Sequence, residues 1–402
     1  MSALLAVDPM LVDLDVTAVV VVLLKVVIAF VGLMVSVMAM IWFERKLHAD
    51  FSNRVGPNIA GPFGILQTLA DGIKSFFKED LLPANADPFV FRLAPYLSLI
   101  PAFVVFAVIP LGGNFDDGNN GVVRILGHDT FLQLADPQIG ILLVLAMSSM
   151  AVYGIMLAGW SSGSKYPLLG SVRATAQMVS YEAALGLSLL SVLLRSESLS
   201  TNAIVISQST WQWNLWMTGV VPFVIFVIAA TAELNRPPFD LVEAEQELVG
   251  GFHTEYSGVR FALFYLSEFM NVITMSGVIV TLFLGGPSGP MFGLTGFLAD
   301  YVLGFTYFFV KVLALLVMFV LFRTTLPRLR YDQLMDLGWK VLIPLALGWF
   351  VLLAVIRVAV DQGWKWYAIA PATAGGLAVA TLLLWKSVRI AADRRESEGV
   401  MR

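Results

Sequence analysis

The chain has 402 residues, 58% of them hydrophobic and only 13% charged, and its formal net charge is −4. This composition is typical of a polytopic membrane protein and excludes a soluble globular domain. There is no cysteine, which excludes a disulfide framework, an iron–sulfur site on thiolates and a cysteine zinc site. The three histidines are far apart in the sequence, and we expect no metal site.

Nine apolar runs are each close to the ~20 residues that cross a bilayer as a helix. They predict an all-α fold in which residues 1–402 form a single membrane domain with nine transmembrane helices. The runs cover residues 16–43, 89–111, 137–159, 174–194, 216–234, 261–284, 301–322, 338–356 and 367–386.

The lysines and arginines predict the orientation, because cytoplasmic loops carry the excess of these residues. With the N-terminus outside, 19 of the 25 fall on the inside face and four on the outside face, while Lys25 and Lys311 lie within apolar runs. We therefore predict that the N-terminus is outside and the C-terminus is cytoplasmic. On the outer face, residues 112–136 are expected to form a turn-rich connection.

The first inside loop, residues 44–88, contains an amphipathic pattern over residues 62–78. Phe63 belongs to its apolar side, whereas Gln67 and Asp71 belong to its polar side. The pattern predicts either a helix that lies at the membrane interface or an ordinary packed loop helix.

Residues 235–260 form an acidic inside loop between two apolar runs, and such a concentration of charge beside a membrane is costly. Pro237-Pro238 is predicted to end the preceding helix. Asp240 then fits an N-cap, and a short helix is expected to reach Gly250-Gly251. The spacing places Asp240, Glu243 and Glu247 on one face of that helix, while Glu245 points elsewhere. These acids form either a solvated cap or a functional cluster.

Besides Lys25, the apolar runs contain Glu182, Glu233, Glu268 and Lys311. A charge at mid-membrane costs at least ~2.5–3.5 kcal/mol, so such groups usually pair, become hydrated or change protonation. They favour a proton path. The alternative is a static ion pair that holds helices together, with Lys311 as its first candidate. Lys25 could instead extend outward from a long, tilted helix.

Four motifs follow one another along the inside loops and the adjoining runs. The first is Glu44-Arg45-Lys46 continuing to Phe76-Phe77-Lys78-Glu79, and the second is Gly159-Trp160-Ser161-Ser162 continuing to Ser180-Tyr181-Glu182. The third is Ala232-Glu233-Leu234-Asn235-Arg236-Pro237-Pro238-Phe239-Asp240 continuing to Val249, and the fourth is Arg323-Thr324 with Pro327-Arg328-Leu329-Arg330-Tyr331-Asp332-Gln333-Leu334-Met335. Together they resemble the quinone-site membrane subunits of respiratory complex I, the H subunits of bacterial NADH:quinone oxidoreductases, over residues 40–350.

The resemblance implies an eight-helix family core, to which residues 367–402 add an extra span and a basic tail. It implies a subunit of a proton-translocating enzyme in the bacterial plasma membrane, without a redox centre of its own, that meets menaquinone or ubiquinone as the substrate. The implied partners are the peripheral quinone-site and terminal iron–sulfur subunits, the small membrane subunits, the antiporter-like subunits and the lipid bilayer. No nucleic acid is implied.

By the same resemblance, three groups of residues receive roles. The entrance and floor of a quinone chamber would include Glu44, Arg45, Arg54, Phe63, Gln67, Asp71, Arg236 and Phe239. A proton path would include Glu182, Glu233, Asp240, Glu243, Glu245, Glu247, Glu255, Glu268 and Lys311. Docking would use Arg173, Arg323, Arg328 and Arg330.

Two other interpretations stay open. The equivalent subunit of a membrane-bound hydrogenase shares this ancestry, although the acidic loop and the arginine-rich inside loops favour complex I. A stand-alone proton-coupled transporter would show an inverted repeat with paired broken helices. The two halves of the sequence show no such correspondence.

Overall fold

The computed structural model describes residues 8–11, 15–115, 119–209, 211–241, 248–290 and 296–364, together with four single positions, Gly375, Leu382, Lys386 and Arg389. Over these residues the chain is a bundle of long helices with one small hairpin. We number the helices in chain order. They are α1 Val16–Phe51, α2 Gln67–Phe77, α3 Pro88–Ala107, α4 Gly140–Ser161, α5 Lys165–Ser196, α6 Thr201–Ser207, α7 Asn214–Met217, α8 Val220–Glu233, α9 Gly258–Phe283, α10 Leu298–Thr325 and α11 Tyr331–Asp361.

Seven helices of the described part are long and apolar enough to cross a membrane: α1, α3, α4, α5, α9, α10 and α11. An eighth helix, α8, is apolar but has only 14 residues. These eight coincide with the first eight predicted runs, so the mostly helical, multi-pass architecture is confirmed. The predicted span 367–386 falls almost entirely outside the described residues, and the number nine stays a prediction, as does the orientation.

Helix α1 is longer than its apolar run predicts. Asp15 caps its first turn by accepting a hydrogen bond from the backbone N–H of Val16, and the helix continues to Phe51. The predicted boundary at residue 43 was therefore wrong, because polar residues continue the helix beyond the apolar run. As a result Glu44 and Arg45 project from a helix instead of a loop, which fixes their directions.

Helix α9 lies at the centre of the bundle. In its most apolar window 78% of the residues are buried, against 11% for α11 at the periphery. Around it, α3 packs along α4, α4 along α5 and α5 along α8, while α9 itself packs along α3 and α10. Proline occurs twice within α3, at Pro95 and Pro101, and both side chains are buried. This arrangement places the side chains of α9 between α1, α3 and α10.

The connection predicted to consist of turns contains a two-stranded antiparallel hairpin, β1 Val122–Ile125 and β2 His128–Phe131. Leu126 and Gly127 both have positive φ, the conformation of a two-residue hairpin turn. Lys25 of α1 donates to Thr130 Oγ1 on β2 at 2.7 Å and pairs with Asp8 at 3.3 Å. Lys25 thus has buried partners at this end of the bundle and does not extend outward alone.

The predicted helix 62–78 is shorter than its pattern. Pro62–Gly64 form a single 3-10 turn in which Phe63 and Gly64 have positive φ, and regular helix starts only at Gln67. A side chain at Gly64 would meet the backbone oxygen of Pro57, its Cβ lying only 2.3 Å away. The close approach of these two loop segments therefore delays the start of α2.

Candidate functional site

Four charged side chains meet at one end of the bundle, where α1, α8 and α10 end. Arg236 Nη1 lies 2.5 Å from Glu44 Oε2, and its Nη2 lies 3.1 Å from Glu268 Oε1. Arg323 pairs with the other oxygen of Glu44. Glu44 and Arg236 are only 2% and 3% exposed, so their charges depend on one another. We call these four residues the ion cluster.

The backbone after α8 carries Arg236 into the interior. Asn235 adopts positive φ at the end of the helix, and the Arg236 N–H returns to the oxygen of Thr231 at 3.2 Å. The side-chain amide of Gln177, on α5, holds this turn by donating to the backbone oxygens of Ala232 at 2.7 Å and Phe239 at 2.9 Å. One amide side chain therefore holds both ends of the segment that positions Arg236.

The guanidinium of Arg236 is held by charge and by an aromatic ring. It lies 4.6 Å from the ring centroid of Phe269, within the range of a cation–π contact. Burial would lower the pKa of Arg236, but Glu268 and Glu44 outweigh it and raise the pKa. Arg236 therefore stays protonated, and any change of charge in the cluster must come from the carboxylates.

The predicted entrance residues join α1 to α2. Arg45 Nη1 lies 2.5 Å from Asp71 Oδ2, and Gln67 donates to the other oxygen of Asp71 at 3.1 Å. Arg54 and Phe63 are exposed at the rim. Phe239, by contrast, is buried against Tyr181 with ring centroids 5.4 Å apart, so its side chain does not reach this rim.

A cavity of about 130 Å³ opens beside the ion cluster. Glu268, Glu233 and His253 lie in its wall. A second cavity of about 50 Å³ also has Glu233 in its wall, and both cavities include Asn271 of α9. Glu233 therefore stands where the two cavities adjoin, one cavity away from the ion cluster.

Two predicted acids have serine partners on α4. Glu233, at the end of α8, accepts a hydrogen bond from Ser148, and Glu182, about halfway along α5, accepts one from Ser149. Glu182 and Glu233 lie close enough for their charges to interact. The structure thus arranges Glu44, Glu268, Glu233 and Glu182 in succession from the end of the bundle toward its interior.

The sequence interpretation missed Ser148, Ser149 and His253. Two serines within the long apolar run 137–159 were the available signal, because each must find a partner in a membrane interior. For His253 the signal was its place in the acidic loop. Burial lowers the pKa of His253 to about 4. Its ring is therefore neutral at neutral pH.

Other predicted residues lie elsewhere. Lys311 donates to the backbone oxygens of Leu284, Gly286 and Ser288, each at 2.8 Å, near the far end of α9. Among the described residues it has no carboxylate partner and does not join the four acids. The contacts of Lys311 in the described part of the chain are thus with backbone oxygens, not with a paired acid. The ammonium group of Lys311 stabilises the carbonyl oxygens at and just after the C-terminal end of α9.

The predicted docking arginines make contacts within the chain. Arg328 pairs with Asp240 at 3.1 Å, and Arg330 pairs with Asp332 at 3.2 Å. The guanidinium of Arg173 lies over the ring of Tyr331, 5.2 Å from its centroid. Arg328 therefore adds a cation to the acidic segment from outside that loop. Glu255 is half-buried at the start of the α9 region, whereas Glu243, Glu245 and Glu247 lie outside the described residues.

Comparison with known proteins gives the same family throughout. Residues 24–354 match the family model described as NADH dehydrogenase. The H subunit of the NADH-quinone oxidoreductase of Frankia alni is 49% identical over 367 residues, which cover 90% of this chain and 79% of the relative. The corresponding H subunits of Frankia casuarinae and Streptomyces avermitilis are 48% and 46% identical, each with the same coverage.

The helical bundle with buried acids is thus a multi-pass membrane protein of the NADH dehydrogenase family. Within it, the chain belongs to the family of H subunits of NADH-quinone oxidoreductase, and it is accordingly a subunit of that enzyme complex. The part of the chain that the structure describes contains no group of histidine, aspartate and glutamate residues arranged to hold a metal ion.

Proposed function

We propose that this chain forms the entrance and floor of a quinone chamber and couples quinone reduction to proton translocation. The observation that carries the proposal is the succession of the carboxylates of Glu44, Glu268, Glu233 and Glu182, with one cavity lined by both Glu268 and Glu233. Acids inside a membrane domain are costly, and proton relays are among the functions for which they are retained.

The entrance lies between α1, α2 and α9. Arg45 and Asp71 hold α2 against α1, and exposed Arg54 stands at the rim. A quinone head group carries two carbonyl oxygens, and arginine can donate to such an acceptor in a fixed plane. Menaquinone or ubiquinone is the proposed substrate, with electrons arriving from peripheral subunits that hold the terminal iron–sulfur cluster.

The ion cluster supplies the coupling step. Reduction of a quinone to its quinol consumes two electrons and two protons. Added negative charge beside the cluster would draw a proton onto Glu268, since Glu268 pairs with Arg236 alone whereas Glu44 pairs with both Arg236 and Arg323. Arg236 would then remain with Glu44, and the proton could continue through the cavity to Glu233. In this scheme Asp240, Glu243, Glu245, Glu247 and Glu255 supply protons from the inside loop.

The position in the enzyme follows from the family. The proposed neighbours at the inside end are the peripheral quinone-site and iron–sulfur subunits, and within the bacterial plasma membrane they are the small and antiporter-like subunits. The hydrogenase alternative is not favoured, because the three relatives named above are all subunits of NADH-quinone oxidoreductase.

The test is the replacement of acids by amides in the assembled complex. Glu233→Gln and Glu182→Gln keep shape and remove the titratable group. We expect NADH-driven proton uptake by membrane vesicles, normalised to assembled enzyme, to fall at least about tenfold, while NADH oxidation by an artificial acceptor survives. Glu79→Gln, an exposed acid, is the control. Full proton uptake in both variants would overturn the proposal.

A further inference from the structure

Two adjacent serines of α4 contact two different carboxylates. Ser148 Oγ donates to Glu233 Oε1, and Ser149 Oγ donates to Glu182 Oε1. The side chains of consecutive residues in a helix point about 100° apart, so two adjacent serines can contact two neighbouring helices at the same depth in the bundle. Helix α4 packs along α5, and α5 packs along α8. The serine pair therefore sits at the level where both acids enter the bundle.

Ser149 has a second acceptor. Its Oγ also lies 3.0 Å from the backbone oxygen of Leu145, one turn earlier. A serine hydroxyl has one hydrogen but can accept as well, so it cannot donate to both oxygens at once. When Glu182 is ionised, Ser149 donates to it. When Glu182 is protonated, its O–H can donate to Ser149, whose own hydrogen turns to Leu145. Both protonation states of Glu182 are thereby satisfied.

The two carboxylate oxygens of Glu233 have different surroundings. Ser148 bonds its Oε1, whereas its Oε2 is buried without a hydrogen-bond partner among the described residues. Two hydroxyls are also buried without a hydrogen-bond partner among the described residues. They belong to Ser98, in the wall of the larger cavity, and Thr274, in the wall of the smaller one. Buried polar atoms of this kind are normally bonded by water, and about 130 Å³ has room for several molecules. Glu233 thus has one oxygen bonded by α4, and its side chain also lines cavities whose walls include unbonded hydroxyls.

We propose that Ser148 and Ser149 are positioning residues of the proton relay, which hold Glu233 and Glu182 in register for proton transfer in either protonation state. This inference rests on the proposed function, since it requires the two acids to carry protons. The transferred proton leaves the carboxylic acid of Glu233 and arrives on the carboxylate of Glu182, with no electrons exchanged. The serines keep one oxygen of each acid bonded before and after the transfer.

The test compares Ser149→Ala with Ser149→Thr in the assembled complex. Alanine removes the hydroxyl, whereas threonine keeps it and can bond the same backbone oxygen of the preceding turn. We expect Ser149→Ala to slow NADH-driven proton uptake roughly tenfold. Ser149→Thr should restore the rate, because it keeps the hydroxyl that bonds Glu182.

Controls separate this inference from the proposed function. Ser196→Ala removes a hydroxyl of α5 that bonds only backbone oxygens, and should leave uptake unchanged. A parental rate of proton uptake in Ser148→Ala and Ser149→Ala, with uptake still lost in Glu182→Gln, would overturn the role of the serines alone. Equal loss in Ser149→Thr and Ser149→Ala would show that packing is responsible, and would also overturn it. Full uptake in the glutamine variants would instead remove the proposed function.

Discussion

Arg236 is the residue on which the ion cluster depends, because it is the buried cation between two carboxylates. Arg236→Ala would leave Glu44 and Glu268 without this partner. Removing one member of a buried ion pair costs about 3–5 kcal/mol. We expect a clear loss of thermal stability and of assembled complex, measured by native electrophoresis of detergent extracts.

Arg236→Lys is the matched comparison. Lysine keeps the charge but lacks the planar pair of nitrogens that reaches both acids. It should assemble better than the alanine variant and turn over more slowly than the parent enzyme. If Arg236→Ala were as stable as the parent, the two acids would have to be neutral in the folded protein, and the cluster would not be ionic.

His253 makes stability depend on pH. Burial lowers its pKa from 6.5 to about 4, and Glu233, Glu268 and Tyr265 share the same cavity wall. Above about pH 6.5 the ring is neutral in both folded and unfolded chains, so its contribution is constant. Below that value the unfolded chain takes up a proton that the folded chain does not. Stability therefore falls as the pH drops toward about 4, by about 3 kcal/mol in full.

His253→Asn removes this titration and retains a polar side chain. We expect the variant to lose less thermal stability than the parent complex between about pH 7 and pH 5, as followed by the temperature at which NADH:quinone activity is lost. Equal acid sensitivity in the two proteins would mean that His253 is already protonated at neutral pH or that other groups dominate.

At the scale of elements, the segment after α8 is bound to the loop after α10. The backbone N–H of Leu329 donates to the oxygen of Pro238 at 3.0 Å, and Arg328 pairs with Asp240. The Arg328 side chain is 41% exposed, so the pair contributes only about 0–1 kcal/mol. The backbone bond and the buried cluster must therefore provide most of the attachment.

Arg328→Lys tests this ranking. The variant keeps the charge, and we expect normal assembly and a change in quinone-linked activity of less than about twofold, since about 0.4 kcal/mol corresponds to that factor. Arg173→Lys is a suitable control, because Arg173 is at the same end of the bundle and its guanidinium lies over the ring of Tyr331. A severe defect in Arg328→Lys alone would indicate that its planar fork binds another subunit of the complex.

At the scale of the whole molecule, apolar runs predicted the helices well because a bilayer requires about 20 apolar residues per span. The end of α1 and the start of α2 were misplaced, because polar residues and positive φ at Phe63 give no hydropathy signal. The hairpin was missed since its strands have only four residues each. The family resemblance identified the acids as a group. Their order in the bundle and their serine partners could be found only from the structure.

The ion cluster could not be assembled from the sequence for a simple reason. Glu44 is separated from Arg236 by 192 residues and from Arg323 by 279. Local pattern connects residues three or four apart on a helix, whereas these contacts arise only from the packing of α1 against α9 and α10. Arg323, which was predicted to serve in docking, pairs with Glu44, a contact that the sequence pattern could not show.

The same separation has a consequence for biosynthesis. Ribosomes add about 5–20 residues per second, so Arg323 emerges about 14–56 s after Glu44. For the first about 10–38 s of that interval neither counter-ion of Glu44 has been made, because Arg236 follows Glu44 by 192 residues. Until Arg323 emerges as well, the ion cluster is incomplete, and we expect α1 to reach its native position only when the end of α10 leaves the translocon. Ribosome-stalled chains ending near residue 300 should remain open to proteases at α1, whereas chains long enough to expose Arg323 should be protected.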